Sequence, residues 1–428
     1  MDKHVLISTA YKRILLQEIV AAMGCTEPIA IAYAAAKMRE VLGSEPEKVK
    51  VVVSNNIIKN VKSVTIPNTD GMIGIQAAAA AGIVAGTASK ELQVLSEISN
   101  KDKEAIRKYM EAHCIEVLPS KSNEVFEIEI SGETGRDTAQ VRIVKEHTNV
   151  VRIVKNKDIL FEKNEEYHDT YGDKDYGLLC VDDIIGFAAE GDIDGIEDII
   201  WKQAEYNLRI AEEGLQKDYG ARIGKTLLAY KGSNIYAKAE AMAAAGSDAR
   251  MAGCELPVMI VGGSGNQGIA ASVPVIAFAM EGEYDKQRIV RTLILSDLLS
   301  IYQRFLIGRL SAYCGAVNAG SAAAAAIAYL EGGSREQIKR TLVNGLAIAS
   351  GIICDGAKAS CAAKVAASVE AGLLGYQMSM RGLEFKTGEG IVAETAEETV
   401  QNIGRLGKEG MKETDNEIIA IMLGARNN

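Results

Sequence analysis

Aromatic side chains make up only 5% of this sequence, with a single tryptophan, and just four histidines are spread over its 428 residues. The first shortage works against a nucleic-acid surface, which relies on stacking rings. Charge works against it too, because 57 acidic and 47 basic residues leave a formal net charge of −10, which repels a phosphate backbone unless the basic residues gather in a patch. They do not gather: Glu45 and Glu47 precede the lysines from Lys48 to Lys62, and Glu146, Asp158 and Glu162 interrupt those from Lys145 to Lys163. No nucleic-acid partner is expected. Histidine offers little to a metal site, since His4, His113, His147 and His168 lie outside the C-terminal half and show no ligand spacing. No apolar run reaches the roughly 20 residues of a bilayer span. Ile269–Met280 covers about half of one, is followed by Glu281 and Glu283, and reads as a buried helix. Met1–Ala10 carries charge at once and has no leader pattern, so a cytoplasmic location and no membrane partner are expected.

What is present is ample apolar material, 48% of the chain, and a length beyond what one core usually serves, so two domains are expected. Seven cysteines, an odd number in a chain too large to need staples, point to free thiols or metal ligands in a reducing compartment.

The fold expected is α+β: a mixed N-terminal part with an antiparallel sheet and a largely helical C-terminal part. Ser8–Ala22 has helical periodicity, and Thr26 can cap a second helix with Pro28 in its first turn. Val49–Val53 and Val61–Ile66 read as short strands around the turn Ser54-Asn55-Asn56, and Thr69 or Asp70 as the cap of an alanine-rich helix through Ala85. Lys101–Cys114 reads as a further helix. From Glu116 to Ile153 apolar and polar residues alternate, as a half-buried antiparallel sheet does. From Val181 onward helical period dominates, through Gly186–Glu213, Ile223–Ala245, Ile289–Leu310, Ala322–Leu330 and Arg335–Ala349. The boundary falls near residue 180, dividing the chain into a mixed domain 1–180 that contributes Cys25 and a helical domain 181–428 that carries the chemistry.

Two nucleotide motifs fail on context. Gly263-Ser264-Gly265-Asn266-Gln267-Gly268 has dinucleotide spacing after the apolar run Val258–Val261, but it lies among helices rather than in repeated strand–helix units. Gly220 to Thr226 has one residue too few between its glycines for a phosphate loop. The glycine-rich turn can still form a nest for a carboxylate through its backbone N–H groups and Ser264, Asn266 and Gln267; a plain structural turn fits equally well. Asn55, Asn56, Asn68 and Thr69 offer polar groups that suit substrate contact or turn capping.

The strongest chemical signal is cysteine. Cys314 stands before Gly315, Cys354 and Cys361 are seven positions apart, and Cys25 sits far upstream in Gly24-Cys25-Thr26-Glu27-Pro28. On one helix, Cys354 and Cys361 would share a face about 10 Å apart, and Gly356 allows a turn that shortens this. Three thiolates plus a remote fourth suit an iron–sulfur cluster with one open iron; zinc ligation and plain packing of small buried cysteines are the other readings.

At these residues the chain resembles the L-cysteine desulfidase family, related to the alpha chain of iron–sulfur L-serine dehydratases. The resemblance rests on Gly24-Cys25-Thr26-Glu27-Pro28, on Gly263 to Gly268 and on the Cys314, Cys354 and Cys361 set, and it runs over essentially the whole chain. It implies that these last three cysteines hold a [4Fe-4S] cluster whose fourth iron binds substrate, and that L-cysteine is broken down to sulfide, ammonia and pyruvate. Serine dehydratases use a longer spacing between their last two cysteines, which favours the desulfidase branch. Cys25, beside a positive helix end expected to favour its thiolate, is the candidate base. Alternatively Cys25 is a resting fourth ligand and Glu27 the base. Asn55, Asn68, Ser264, Asn266 and Gln267 would bind the substrate carboxylate or order the pocket. L-serine dehydratase, a zinc lyase or hydrolase, a non-catalytic iron–sulfur scaffold and, through Lys358, a pyridoxal enzyme are the competing readings. A small amino acid is the expected partner, and a homo-oligomer is compatible with the sequence.

Overall fold

In Lys48–Val53 the side chains of Val49, Val51 and Val53 are buried while Lys48 and Lys50 face outward, and this period-two pattern builds the N-terminal sheet. The computed structural model describes residues 3–122, 124–163, 172–308 and 311–423. Its first part runs α1 (Lys3–Glu18), β1 (Val20–Met23), α2 (Thr26–Leu42), β2 (Lys48–Val53), α3 (Asn55–Val61), α4 (Gly74–Ala85), α5 (Asn100–Ala112), β3 (Ile115–Pro119), β4 (Glu127–Thr134), β5 (Asp137–Val144), β6 (Val150–Lys155), β7 (Asp158–Glu162) and α6 (Gly172–Tyr176). Six strands form one sheet in the order β3-β2-β4-β5-β6-β7, parallel between β2 and β3 and antiparallel elsewhere. Helix α2 covers this sheet at β4 and β5 and packs against α4 on its other side. That second approach is close because a Cβ on Gly82 would lie 2.1 Å from the Ala32 carbonyl oxygen.

The second part is helical except for one short strand: α7 (Val181–Glu190), α8 (Glu197–Gln216), α9 (Ile223–Lys231), α10 (Ile235–Met251), β8 (Pro257–Ile260), α11 (Gly265–Glu281), α12 (Lys286–Ile307), α13 (Gly315–Leu330), α14 (Arg335–Ala349), α15 (Ser360–Met380), α16 (Ala396–Arg405) and α17 (Lys412–Leu423). Helix α13 lies at the centre, against α11, α12, α14 and α15. Its run Ala322–Ala326 is buried to within 1% and supplies the small surface these contacts need. The chain is therefore α+β, with its strands concentrated early and its helices late. One apolar core nevertheless extends from Ile7 to Ile418, and β1 pairs antiparallel with β8 across the sequence.

Several local expectations are corrected. Asn55–Val61 is helix α3, so no strand follows the Ser54-Asn55-Asn56 segment, and in Val61–Ile66 only an isolated bridge from Thr65 to Ile73 remains. The helical period from Ser8 stops at Glu18, and Val20–Met23 is the strand that joins β8. Thr69 and Asp70 do not cap α4, whose N-cap is Ile73: Thr69 Oγ1 donates to the Ile66 carbonyl, and Asp70 pairs with Lys103. The sheet includes one parallel pair because β3 returns through α4 and α5. Gly186–Glu213 and Ile223–Ala245 each divide into two helices. Leu310 and His168 lie outside the described residues.

Candidate active site

Cysteines from separate segments meet in one cavity of about 100 Å³. Cys25, Glu27, Ser264, Asn266, Cys314, Cys354 and Cys361 line it, together with Lys59, Asn60, Lys145, His147, Arg250 and Arg304. Four helices begin there: Cys25 is the N-cap of α2, Ser264 of α11 and Cys314 of α13, and Cys361 is the second residue of α15. Helix N-termini present unpaired N–H groups and partial positive charge, so the cavity is built for anionic sulfur or carboxylate.

Each thiol is placed by local backbone geometry. Gly24 turns the chain into Cys25 at a φ of +57°, which L side chains rarely adopt. Cys25 is 1% exposed, with Sγ 4.0 Å from Met251 Sδ. The loops carrying Cys314 and Cys354 are tied side by side by a bridge between Tyr313 and Ile353, with Cys314 N–H donating to the Ile352 carbonyl at 3.1 Å and Cys354 N–H to the Ala312 carbonyl at 2.6 Å. Cys354 is therefore a loop residue, not a helical partner of Cys361 as the spacing allowed; α15 starts only at Ser360. Gly356, at φ +91°, lets that loop lie on α3, where a Cβ would be 2.4 Å from the Lys59 carbonyl oxygen. Asp355 steadies it through Lys358 at 2.5 Å and through Lys364. Although burial opposes ionisation of Asp355, the two lysines hold its carboxyl down at about 2.

Against the helix end that favours the Cys25 thiolate, burial pushes its thiol up to about 12; Arg250 acts in the opposite direction, and Glu27 and Cys361 add to the rise. Burial likewise raises Cys314 to about 12, with Cys354 and Cys361 contributing, and it raises Cys361. Thiols that hinder one another's ionisation lose their protons to solvent when a cation binds between them. Among the described residues no three His, Cys, Asp or Glu side chains form a group that could hold a metal ion. A single tetrahedral ion would need sulfurs within about 4 Å of one another. The thiols line one shared cavity, and the glycines at 315 and 356 in its wall leave room there for a group larger than a side chain.

The glycine-rich turn is accounted for position by position. Gly262 and Gly263 have φ of +57° and +77°. A Cβ on Gly268 would strike the Met259 carbonyl oxygen at 2.2 Å, and one on Gly265 would strike Arg250 Nε at 2.2 Å. Ser264 Oγ caps α11 by accepting from Gln267 N–H at 3.4 Å, and Asn266 is fixed by Ser247 Oγ at 3.1 Å. Gln267 stands behind the cavity wall, its Nε2 donating to Ser300 Oγ at 3.0 Å. Thr26 Oγ1 joins the turn to α2, donating to the Gly263 carbonyl at 3.1 Å, and Asn60 Nδ2 donates to Glu27 Oε1 at 3.1 Å.

Asn55 and Asn68 are not brought to the cavity. Asn55 is exposed at the start of α3, and Asn68 is buried with Nδ2 donating to the Leu95 carbonyl at 2.7 Å, which fixes its turn. Conversely, His147 does line the cavity, carried there by the loop after β5 and edge-on to Phe126 at 4.9 Å. Lys59, Asn60, Arg250 and Arg304 were not anticipated. Helical spacing in Asn56 and Asn60 was the available signal for α3; a lone arginine at a helix end gives none. A second cavity of about 760 Å³ adjoins the first, sharing Phe126, Lys145 and Ser311 and bordered by α17.

Fold and site together define an α+β protein with a thiol-lined cavity at the meeting point of four helix starts. The chain belongs to the family described as the serine dehydratase alpha chain, whose profile matches residues 89–420. It is 51% identical to a UPF0597 protein of Desulfitobacterium hafniense, over 96% of both chains. It is 47% identical to one of Lachnoclostridium phytofermentans, over 96% of this chain and 98% of the relative, and 44% identical to one of Treponema denticola, over 96% and 97%. Among the described residues no helix is long and apolar enough to cross a membrane, and all seven cysteines are free of disulfides.

Proposed function

We propose that the chain is an L-cysteine desulfidase, catalysing non-redox β-elimination of L-cysteine, with uptake of water, to hydrogen sulfide, ammonia and pyruvate. The convergence of Cys314, Cys354 and Cys361 with Cys25 in one cavity carries this reading. Cys314, Cys354 and Cys361 would hold a [4Fe-4S] cluster, which supplies Lewis acidity toward the departing sulfur. The rest falls to the chain. Cys25 passes its own proton to the neighbouring Glu27, and as the thiolate its Sγ takes the α-proton; a thiol raised by burial is, once ionised, a strong base, as a weakly acidic amino-acid proton requires. The electron pair of the broken Cα–H bond becomes the Cα–Cβ double bond while the Cβ–S bond breaks and sulfur leaves with its pair. The aminoacrylate so formed takes up a proton and is hydrolysed to pyruvate and ammonia. Glu27, held by Asn60 and Thr26, faces the same space as second acid–base group, and Ser264, Asn266 and Gln267 order the pocket.

A second reading is L-serine dehydratase, in which hydroxide leaves instead, and the family profile favours it. Protein purified without oxygen is to be tested for iron and labile sulfide, and for sulfide and pyruvate released from L-cysteine and L-serine. Equal sulfide and pyruvate from L-cysteine, with slower turnover of L-serine, supports the desulfidase. Pyruvate from L-serine alone replaces it with the second reading, and iron with neither product leaves a non-catalytic scaffold. In this reading the protein works in a reducing compartment, the cytoplasm, where its seven free thiols stay reduced.

A further inference from the structure

Arg250, near the end of α10, is only 5% exposed, yet its guanidinium makes no hydrogen bond and no ion pair with any described residue, and Nε is enclosed without a partner. Three other buried charged side chains are matched by opposite charges: Lys59 by Asp415, Glu127 by Arg142 and Glu240 by Lys231. A buried charge without a counter-charge is strongly unfavourable, and it persists where a ligand supplies the missing anion. Arg250 lines the thiol cavity beside Asn266 and the start of α11, and it lies there only because residue 265 has no Cβ. The cavity's ammonium at Lys59 is already held by Asp415, which leaves the guanidinium as a cation with vacant donors.

We infer that Arg250 anchors the α-carboxylate of the amino-acid substrate. The inference deepens the reading above and rests on it for the leaving group, but not for the carboxylate, which L-cysteine and L-serine share. A guanidinium presents N–H donors in a planar fork that matches two carboxylate oxygens. Held there, the substrate has its Cα next to the carboxylate and within the reach of Cys25. As the α-proton leaves, negative charge spreads onto the same two oxygens, so the contact strengthens in the transition state and serves catalysis as well as binding.

The test compares L-cysteine with L-cysteinamide, which keeps the thiol and amine but has no carboxylate, in the full-length iron-loaded protein and in Arg250→Met and Arg250→Lys. For Arg250→Met, kcat/KM on L-cysteine falls about 100-fold or more, while that on L-cysteinamide changes by less than about three-fold. Arg250→Lys recovers part of the loss on the acid alone. Equal losses on acid and amide in a variant that melts like the parent would overturn the assignment. If Arg250→Met does not fold, Arg250→Lys decides, through an acid-to-amide preference that either drops or stays at the parent value. If the parent turns over neither amino acid, the reading of the previous section fails by itself. Calorimetry with L-alanine, which has the carboxylate and no leaving group, then decides for Arg250. Binding to the parent at least ten-fold tighter than to Arg250→Lys upholds the assignment, and equal or absent binding ends it.

Discussion

At the scale of single residues, the site depends on what is missing as much as on what is present. Gly265→Ala would put a methyl group on Arg250 Nε, so the guanidinium must leave its place. The expected outcome is a loss in kcat/KM on L-cysteine as large as that of Arg250→Met, with the iron content unchanged, read by steady-state kinetics and iron assay. Cys25→Ser separates the two roles open to that thiol. As base, its loss lowers kcat by about 100-fold or more while iron remains at the parental level; as resting ligand, its loss lowers the iron content instead. The thiols were legible in the sequence because cysteine is chemically specific and Gly-Cys turns are conspicuous. Arg250 was not, since its meaning comes from burial and an unfilled hydrogen-bonding capacity, neither of which leaves a pattern along the chain. Asn55 and Asn68 show the converse: polar residues in apparent loops look like binding groups until one faces solvent and the other is consumed by its own turn.

Elements decide how the cavity is closed. Helix α3 touches the Cys354–Cys361 loop through Gly356, holds Glu27 through Asn60, and is fastened to α17 by two contacts, Lys59 with Asp415 and Lys62 Nζ with the Met422 carbonyl at 2.7 Å. Lys59 lines the small cavity and Asp415 the large one, so their ion pair lies in the wall between them. The side chains are 2% and 16% exposed, and removing the carboxylate leaves a buried ammonium alone. Asp415→Ala is expected to cost about 3–5 kcal/mol in denaturant unfolding and to speed hydrogen exchange in Lys412–Leu423. The sheet and the long helices could be read from period alone, because burial on one face leaves its alternation in the sequence. Short elements could not: Asn55–Val61 makes under two turns, and β1 is defined by its partner β8, more than 230 residues away, rather than by any local pattern.

For the whole molecule, the proposed division near residue 180 separates contributions to the site, with Cys25 and Glu27 on one side and the three remaining thiols on the other, while a common core and the β1–β8 pair join them. Deep in that core is Asp297, 0% exposed, whose Oδ1 accepts from Gln203 Nε2 at 2.9 Å; burial raises its carboxyl to about 8. Its unfolded value is near 3.9, so between about pH 4 and pH 8 the folded state holds the extra proton, and stability declines as pH rises through that window before levelling off. Asp297→Asn, which keeps the shape without the charge, is expected to remove this decline, seen as urea midpoints that no longer differ between pH 5 and pH 8. The overall charge has a different effect. A chain of formal net charge −10 carries a pit lined by Lys59, Lys145, Arg250 and Arg304. Zwitterions of zero net charge cross such a field unopposed, whereas aspartate and glutamate meet repulsion before they come within a screening length, about 8 Å, of the entrance. Solutes are thereby sorted by net charge at a distance, before any side chain has touched them.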